Sequence, residues 1–176
     1  MNPWWQQAGN TIVAEFSDLA DPVQMTRVVV RLLVAALLGG LLGWEREHQG
    51  KAAGVRTHML VAMGAALFVL VSQQTGMYAD AMSRVIQGII AGVGFLCAGT
   101  IIKGNQRDDV KGLTTAAGLW LTAAVGVAAG LGRETTAVLG TLLALAVLSL
   151  VPIVVRETAK PTSLITSETQ DLKDKP

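Results

Sequence analysis

From Val28 onward the chain alternates between long apolar runs and short polar connections. Five runs stand out: Val28–Trp44, Thr57–Gln74, Val85–Lys103, Leu113–Leu131 and Thr135–Val155. Each has about the length an α-helix needs to cross a hydrocarbon layer of about 30 Å, at about 1.5 Å per residue. Backbone amides in lipid must be satisfied inside the segment that carries them, so helices are required. The runs are continuous and rich in Ala and Gly, unlike the alternating strands of a membrane barrel. The pattern predicts an all-α polytopic membrane bundle of five transmembrane helices.

Composition sharpens this. Of 176 residues, 51% are hydrophobic and 15% charged, against about 25% charged in soluble domains. Mean hydropathy is +0.48. A net charge of +1 argues against a nucleic-acid binder, which needs a basic surplus. The lone Cys97 rules out an intrachain disulfide. The first 26 residues carry Glu15, Asp18 and Asp21 and no Lys or Arg, so no secretory signal is expected there.

The basic residues set an orientation. Arg46, Lys51 and Arg56 fall in the first loop, Lys103, Arg107 and Lys111 in the third, and Arg156, Lys160, Lys173 and Lys175 after the last run. Only Arg27, Arg31, Arg84 and Arg133 fall toward the other side. The N-terminus is therefore expected outside and the C-terminus in the cytoplasm. Residues 1–26 form an outer segment, residues 27–155 the membrane domain and residues 156–176 a disordered tail. Trp4 and Trp5 suit the outer interface, where indole is amphipathic. Gly54-Val55-Arg56-Thr57 and Gly112-Leu113-Thr114-Thr115 open the second and fourth runs alike. They suggest either parallel repeats or ordinary helix starts.

Candidate chemistry is sparse. Gly39 and Gly43, Gly88 and Gly92, and Gly126 and Gly130 are four-residue glycine pairs, and Gly94 and Gly99 extend the third run's pattern. Such faces let helices approach closely, within one protomer or across a dimer seam. Arg31, about one turn inside the first run, either snorkels or serves a site. Asp80, four residues before Arg84, either pairs with it locally or offers Arg31 its carboxylate. Glu45 and Glu47 stand where a helix end favours cations. They call for a partner: Arg46, Arg56, Lys51 or a bound cation. With Asp108 and Asp109 they are weak candidates for Mg²⁺, a hard ion that takes carboxylate oxygens. His48, His58 and Cys97 lack zinc spacing. No nucleophile–base arrangement, Walker loop or dinucleotide fingerprint is readable, so an enzyme is not expected.

At these residues the chain resembles the MgtC/SapB family of bacterial inner-membrane proteins. The resemblance runs through Leu32–Gly43, Trp44-Glu45-Arg46-Glu47 and Gly50-Lys51-Ala52-Ala53-Gly54-Val55-Arg56-Thr57-His58. It continues through Gly64–Phe68, Asp80 with Ser83-Arg84, Gly92–Ile102, Val110–Trp120 and Ala123–Gly126, covering about residues 28–150. It implies a multi-pass inner-membrane protein, its N-terminal segment periplasmic, linked to survival in low magnesium and, in some pathogens, to growth inside macrophages. Longer members carry a cytoplasmic C-terminal domain that this chain is expected to lack. The residues it singles out are Arg31, Glu45, Glu47, Arg56, Thr57, His58, Asp80, Arg84, Gly94, Cys97, Thr114 and Thr115. Two functions stay open. One is a non-enzymatic regulator acting through itself or a membrane partner such as ATP synthase. The other is a small cation or metabolite carrier working as a homo-oligomer, with a dimer the simplest form.

Overall fold

The computed structural model describes residues 3–17, 21–76, 79–102 and 111–158, with the backbone alone for Ala79, Ile102 and residues 152–158. Six helices follow in order: α1 (Trp4–Glu15), α2 (Pro22–His48), α3 (Val55–Gln74), α4 (Ala79–Ile102), α5 (Leu113–Gly130) and α6 (Glu134–Thr158). No strand occurs among the described residues. The five helices from α2 to α6 are long and apolar enough to cross a membrane, as the hydrophobic pattern predicts. Of the tail expected from residue 156, the first three residues continue α6 to Thr158 and the rest lies outside the described residues, as do Asp108 and Asp109.

The helix ends differ from the apolar runs because polar groups, not hydropathy, stop a helix. Asp21 accepts the Val23 N–H at 3.1 Å and Pro22 follows at the first helical position. Both are favoured helix starts, so α2 begins six residues before its apolar run. At the other end α2 continues through Glu45, Arg46 and Glu47 to His48. The charged segment is therefore mostly helix, and the true loop is Gln49–Gly54.

α5 is the hub. It packs against α2, α3, α4 and α6; α2 also packs on α3 and α6, and α4 on α3. α4 and α6 flank this centre without touching each other. Small side chains make up most of the buried layer, with Ala35 on α2, Ala62 and Ala66 on α3, Ala129 on α5 and Ala137 on α6 set among Leu38, Leu42 and Val125. Many large ones point outward, among them Leu37 at 65% exposed, Phe68 at 64% and Phe95 at 81%. Lipid chains are as apolar as leucine, so burying leucine against protein gains little; close backbone contact between small residues gains dispersion instead.

Glycine makes the closest approaches. A Cβ on Gly39 would stand 2.6 Å from the His58 carbonyl oxygen, and one on Gly43 2.6 Å from Val55 Cα. On α5, Gly126 lies against the Ala62 backbone and Gly130 against that of Ala66. One stripe of α3, His58-Ala62-Ala66, is thus gripped from α2 on one side and α5 on the other. Gly88, Gly92, Gly94 and Gly99 meet nothing within 4 Å at the same position. Of the two readings open for the glycine pairs, packing inside the protomer holds for those of α2 and α5 against α3 and not for those of α4. The four-residue spacing marks a close-packing face but not which neighbour it meets.

Candidate functional site: polar ties at the two ends of the bundle

Polar side chains gather where helices end. At the end where α2 hands over to α3, the spacing Leu38-Leu42-Arg46 continues a buried stripe, so Arg46 enters the protein although it is charged. Its side chain is only 4% exposed, and that of Glu45 12%. Arg46 Nη1 stands 3.6 Å from Glu45 Oε2, and Nη2 donates to Thr114 Oγ1 on α5 at 3.1 Å. His58, fully buried on α3, bonds through Nδ1 to the Gly54 carbonyl at 3.0 Å. A carbonyl can only accept, so Nδ1 carries the proton, and in the neutral ring Nε2 is an acceptor. That atom lies 3.6 Å from where a Gly118 Cβ would stand. His58 Nε2, both Glu45 oxygens and Arg46 Nε are buried with no hydrogen-bond partner. The Arg46–Thr114 bond ties α2 to α5, and His58 is held to the start of its own helix α3 beside them.

Glu47 has a different role. Its Oε2 accepts the Val55 N–H at 2.9 Å, one of the amides that every helix start leaves open. A carboxylate that the end of α2 disfavours is stabilised by the start of α3, where the macrodipole prefers an anion. Gly54 leaves room for this contact: a Cβ there would meet the Glu47 carboxylate, which would have to shift. Gly112 holds the equivalent place before α5 by another device. Its φ of 99° is left-handed, and a Cβ would stand 2.5 Å from the Thr100 carbonyl oxygen. The two similar tetrapeptides thus start helices alike with unlike backbones. Arg56 and Thr57 are exposed, Thr57 on a cavity of about 300 Å³ with Thr100 and Gly99; Thr115 is buried.

At the opposite end Arg31, with a side chain 15% exposed, ties four helices. Nη1 donates to Gln73 Oε1 on α3 at 2.7 Å and to the Gly130 carbonyl ending α5 at 2.9 Å. Nε lies 3.9 Å from Glu134 Oε1, in the first turn of α6. The turn between them uses Gly132 at φ 74°, where a side chain would run into the guanidinium. The carboxylate of Arg31 is thus Glu134, not Asp80. Asp80 and Arg84 are exposed on α4, four residues apart, and form no ion pair with each other. Distance along the chain hid Glu134: it arrives only because α5 and α6 return to α2.

Cys97 donates its S–H to the Ala116 carbonyl at 3.1 Å and so fastens α4 to α5. Among the described residues no group of three His, Cys, Asp or Glu side chains is placed to hold a metal ion. Arg46 beside Glu45 also disfavours a cation there. Of the partners the sequence offers Glu45 and Glu47, Arg46 is the one that meets Glu45; Gln73 and Glu134 were not among the candidates. The apolar stripe ending on Arg46 was a usable signal; for the other two there was none.

A family model described as the MgtC family matches residues 32–157. SrpB of Synechococcus elongatus is 46% identical over 130 residues, covering 68% of this chain and 71% of SrpB. MgtC of Salmonella typhimurium is 42% identical over 127 residues, covering 72% of this chain and 53% of that protein. YhiD of Escherichia coli K12, whose name proposes magnesium transport for it, is 41% identical over 129 residues, covering 68% of this chain and 58% of YhiD. The match thus spans little more than half the length of YhiD and of MgtC. No solved structure matches. With a family match over most of its length and five helices able to span a bilayer, the chain belongs to the MgtC family and is a multi-pass membrane protein.

Proposed function

We propose that the protein is a non-enzymatic regulator of the bacterial inner membrane that supports magnesium homeostasis, acting through contacts of its helices and loop end. The observation that carries this is the filled interior between the two polar ties. Arg31 and Glu45 are separated by about 21 Å of helix at 1.5 Å per residue. Between them the core is Ala35, Leu38, Ala62, Ala66, Val125 and Ala129. The buried hydroxyls of Thr122 and Thr141 each donate to a carbonyl one turn back in their own helix. They offer no relay for an ion through one protomer. The names of MgtC and YhiD support the link to magnesium, and the basic loops support a cytoplasmic loop end and an outer N-terminus.

A homo-oligomer joined through α4 belongs to this reading. Gly88, Gly92 and Gly99 share one face of α4 and a Cβ on each would meet nothing within 4 Å, the first two opening on a groove beside Leu60, Gly64 and Phe68 of α3; such a small-residue face suits close helix packing.

Two measurements test the proposal. Purified protein in liposomes is expected to give background flux of Mg²⁺, Na⁺, K⁺ and H⁺. A bacterium lacking its own MgtC-type protein is expected to regain growth in low magnesium when given this chain. Saturable Mg²⁺ flux would overturn the regulator and favour a carrier; failure to restore growth would remove the magnesium link.

A further inference from the structure

α1 packs against no other described helix, yet its sequence is sharply two-sided. On a helical projection Trp4, Trp5, Ala8, Ile12, Val13 and Phe16 fall on one half. Gln6, Gln7, Asn10, Thr11 and Ser17 fall on the other with Ala14, while Glu15 falls between Trp4 and Ala8 near the edge of the apolar half. The apolar half is uncovered: Trp4 is 76% exposed, Val13 73% and Phe16 83%. No Lys or Arg precedes Arg27.

We propose that α1 lies in the plane of the membrane interface and inserts by filling packing gaps between lipids rather than by attraction to their charge. An amphipathic helix with large apolar groups on one face and a polar opposite face seats at the headgroup boundary. Basic residues on the polar face add attraction to anionic lipid, and α1 has none. Its uncharged Gln, Asn and Thr leave the buried apolar area as the driving force. Continuity with the membrane domain places it there. Five peptide steps separate Phe16 from Asp21, a reach of at most about 18 Å, and Asp21 caps the helix that enters the bilayer. The two indoles, edge to face with centroids 5.9 Å apart, suit the interface.

The test uses the full chain in nanodiscs with Trp44→Phe and Trp120→Phe, so that only Trp4 and Trp5 emit. With phosphatidylcholine brominated near the headgroup, emission is expected to be blue-shifted and to lose more than about half its intensity. Replacing part of the lipid by phosphatidylglycerol, or adding salt, is expected to change nothing. Saturated, tightly packed chains are expected to reduce the quenching. Ile12→Asp is expected to abolish it while elution and melting of the bundle stay unchanged. Quenching by aqueous iodide alone would put α1 in water and overturn the proposal. Protection from both quenchers would place the face against protein, and a requirement for phosphatidylglycerol would make the binding charge-driven; either also overturns it.

Discussion

Arg31 and Gly130 stand 99 residues apart in the chain, yet the guanidinium of one donates to the carbonyl of the other at 2.9 Å. Gly130 ends α5, where the last carbonyls of a helix have no partner of their own. A cation at that point satisfies the carbonyl and complements the helix dipole. Because Nη1 also reaches Gln73, one side chain sets how α2, α3 and α5 meet.

Arg31→Met removes these bonds and leaves Gln73 and the Gly130 carbonyl without their donor. The expected cost is about 1–3 kcal/mol, read as a lower melting temperature of the purified protein in detergent. Arg31→Lys should restore only part of it, since a single ammonium cannot reproduce the planar fork. Full rescue by Lys would mean that charge alone matters.

The glycines separate into two classes. Gly126→Ala drives a methyl into the Ala62 backbone, and overpacking of this kind costs about 1–3 kcal/mol. Gly88→Ala and Gly92→Ala meet open space within the protomer and should leave its melting unchanged. Under the proposal that α4 joins two copies, they should weaken self-association in analytical ultracentrifugation. Equal destabilisation by all three would contradict the arrangement described.

Glu47 and Gly54 act as one device. Glu47→Ala removes the acceptor for the Val55 N–H and should cost about 0.5–2 kcal/mol, the range of a lost N-cap. Adding Mg²⁺ should not change that difference, because the acceptor serves a backbone amide. A Mg²⁺-dependent melting temperature that vanishes in Glu47→Ala would restore a cation to this end.

Arg46→Met leaves Glu45 buried without its counter-charge, and breaking a buried pair costs about 3–5 kcal/mol. Glu45→Gln combined with Arg46→Met should recover most of that loss, since two neutral groups need no counter-charge. A double variant as unstable as the single one would show that the Thr114 bond, not the pair, holds this end.

The hydrophobic pattern was enough to find the five long helices, because crossing a bilayer demands continuous apolar length wherever the segments later sit. The motifs around Gly43–His58 and Gly112–Gly126 were enough to name the family. Helix α1 was not among the predicted elements: at twelve residues it is too short to carry a span signal, and its spacing Trp4-Ala8-Ile12-Phe16 is the trace it leaves in the sequence. Partners were not legible. Whether Glu134 or Asp80 answers Arg31, whether Glu47 faces a cation or a helix start, and which glycines are covered all depend on which helices are neighbours. That choice is made by close contact between small residues far apart in the chain, and their spacing marks a face without naming what it touches.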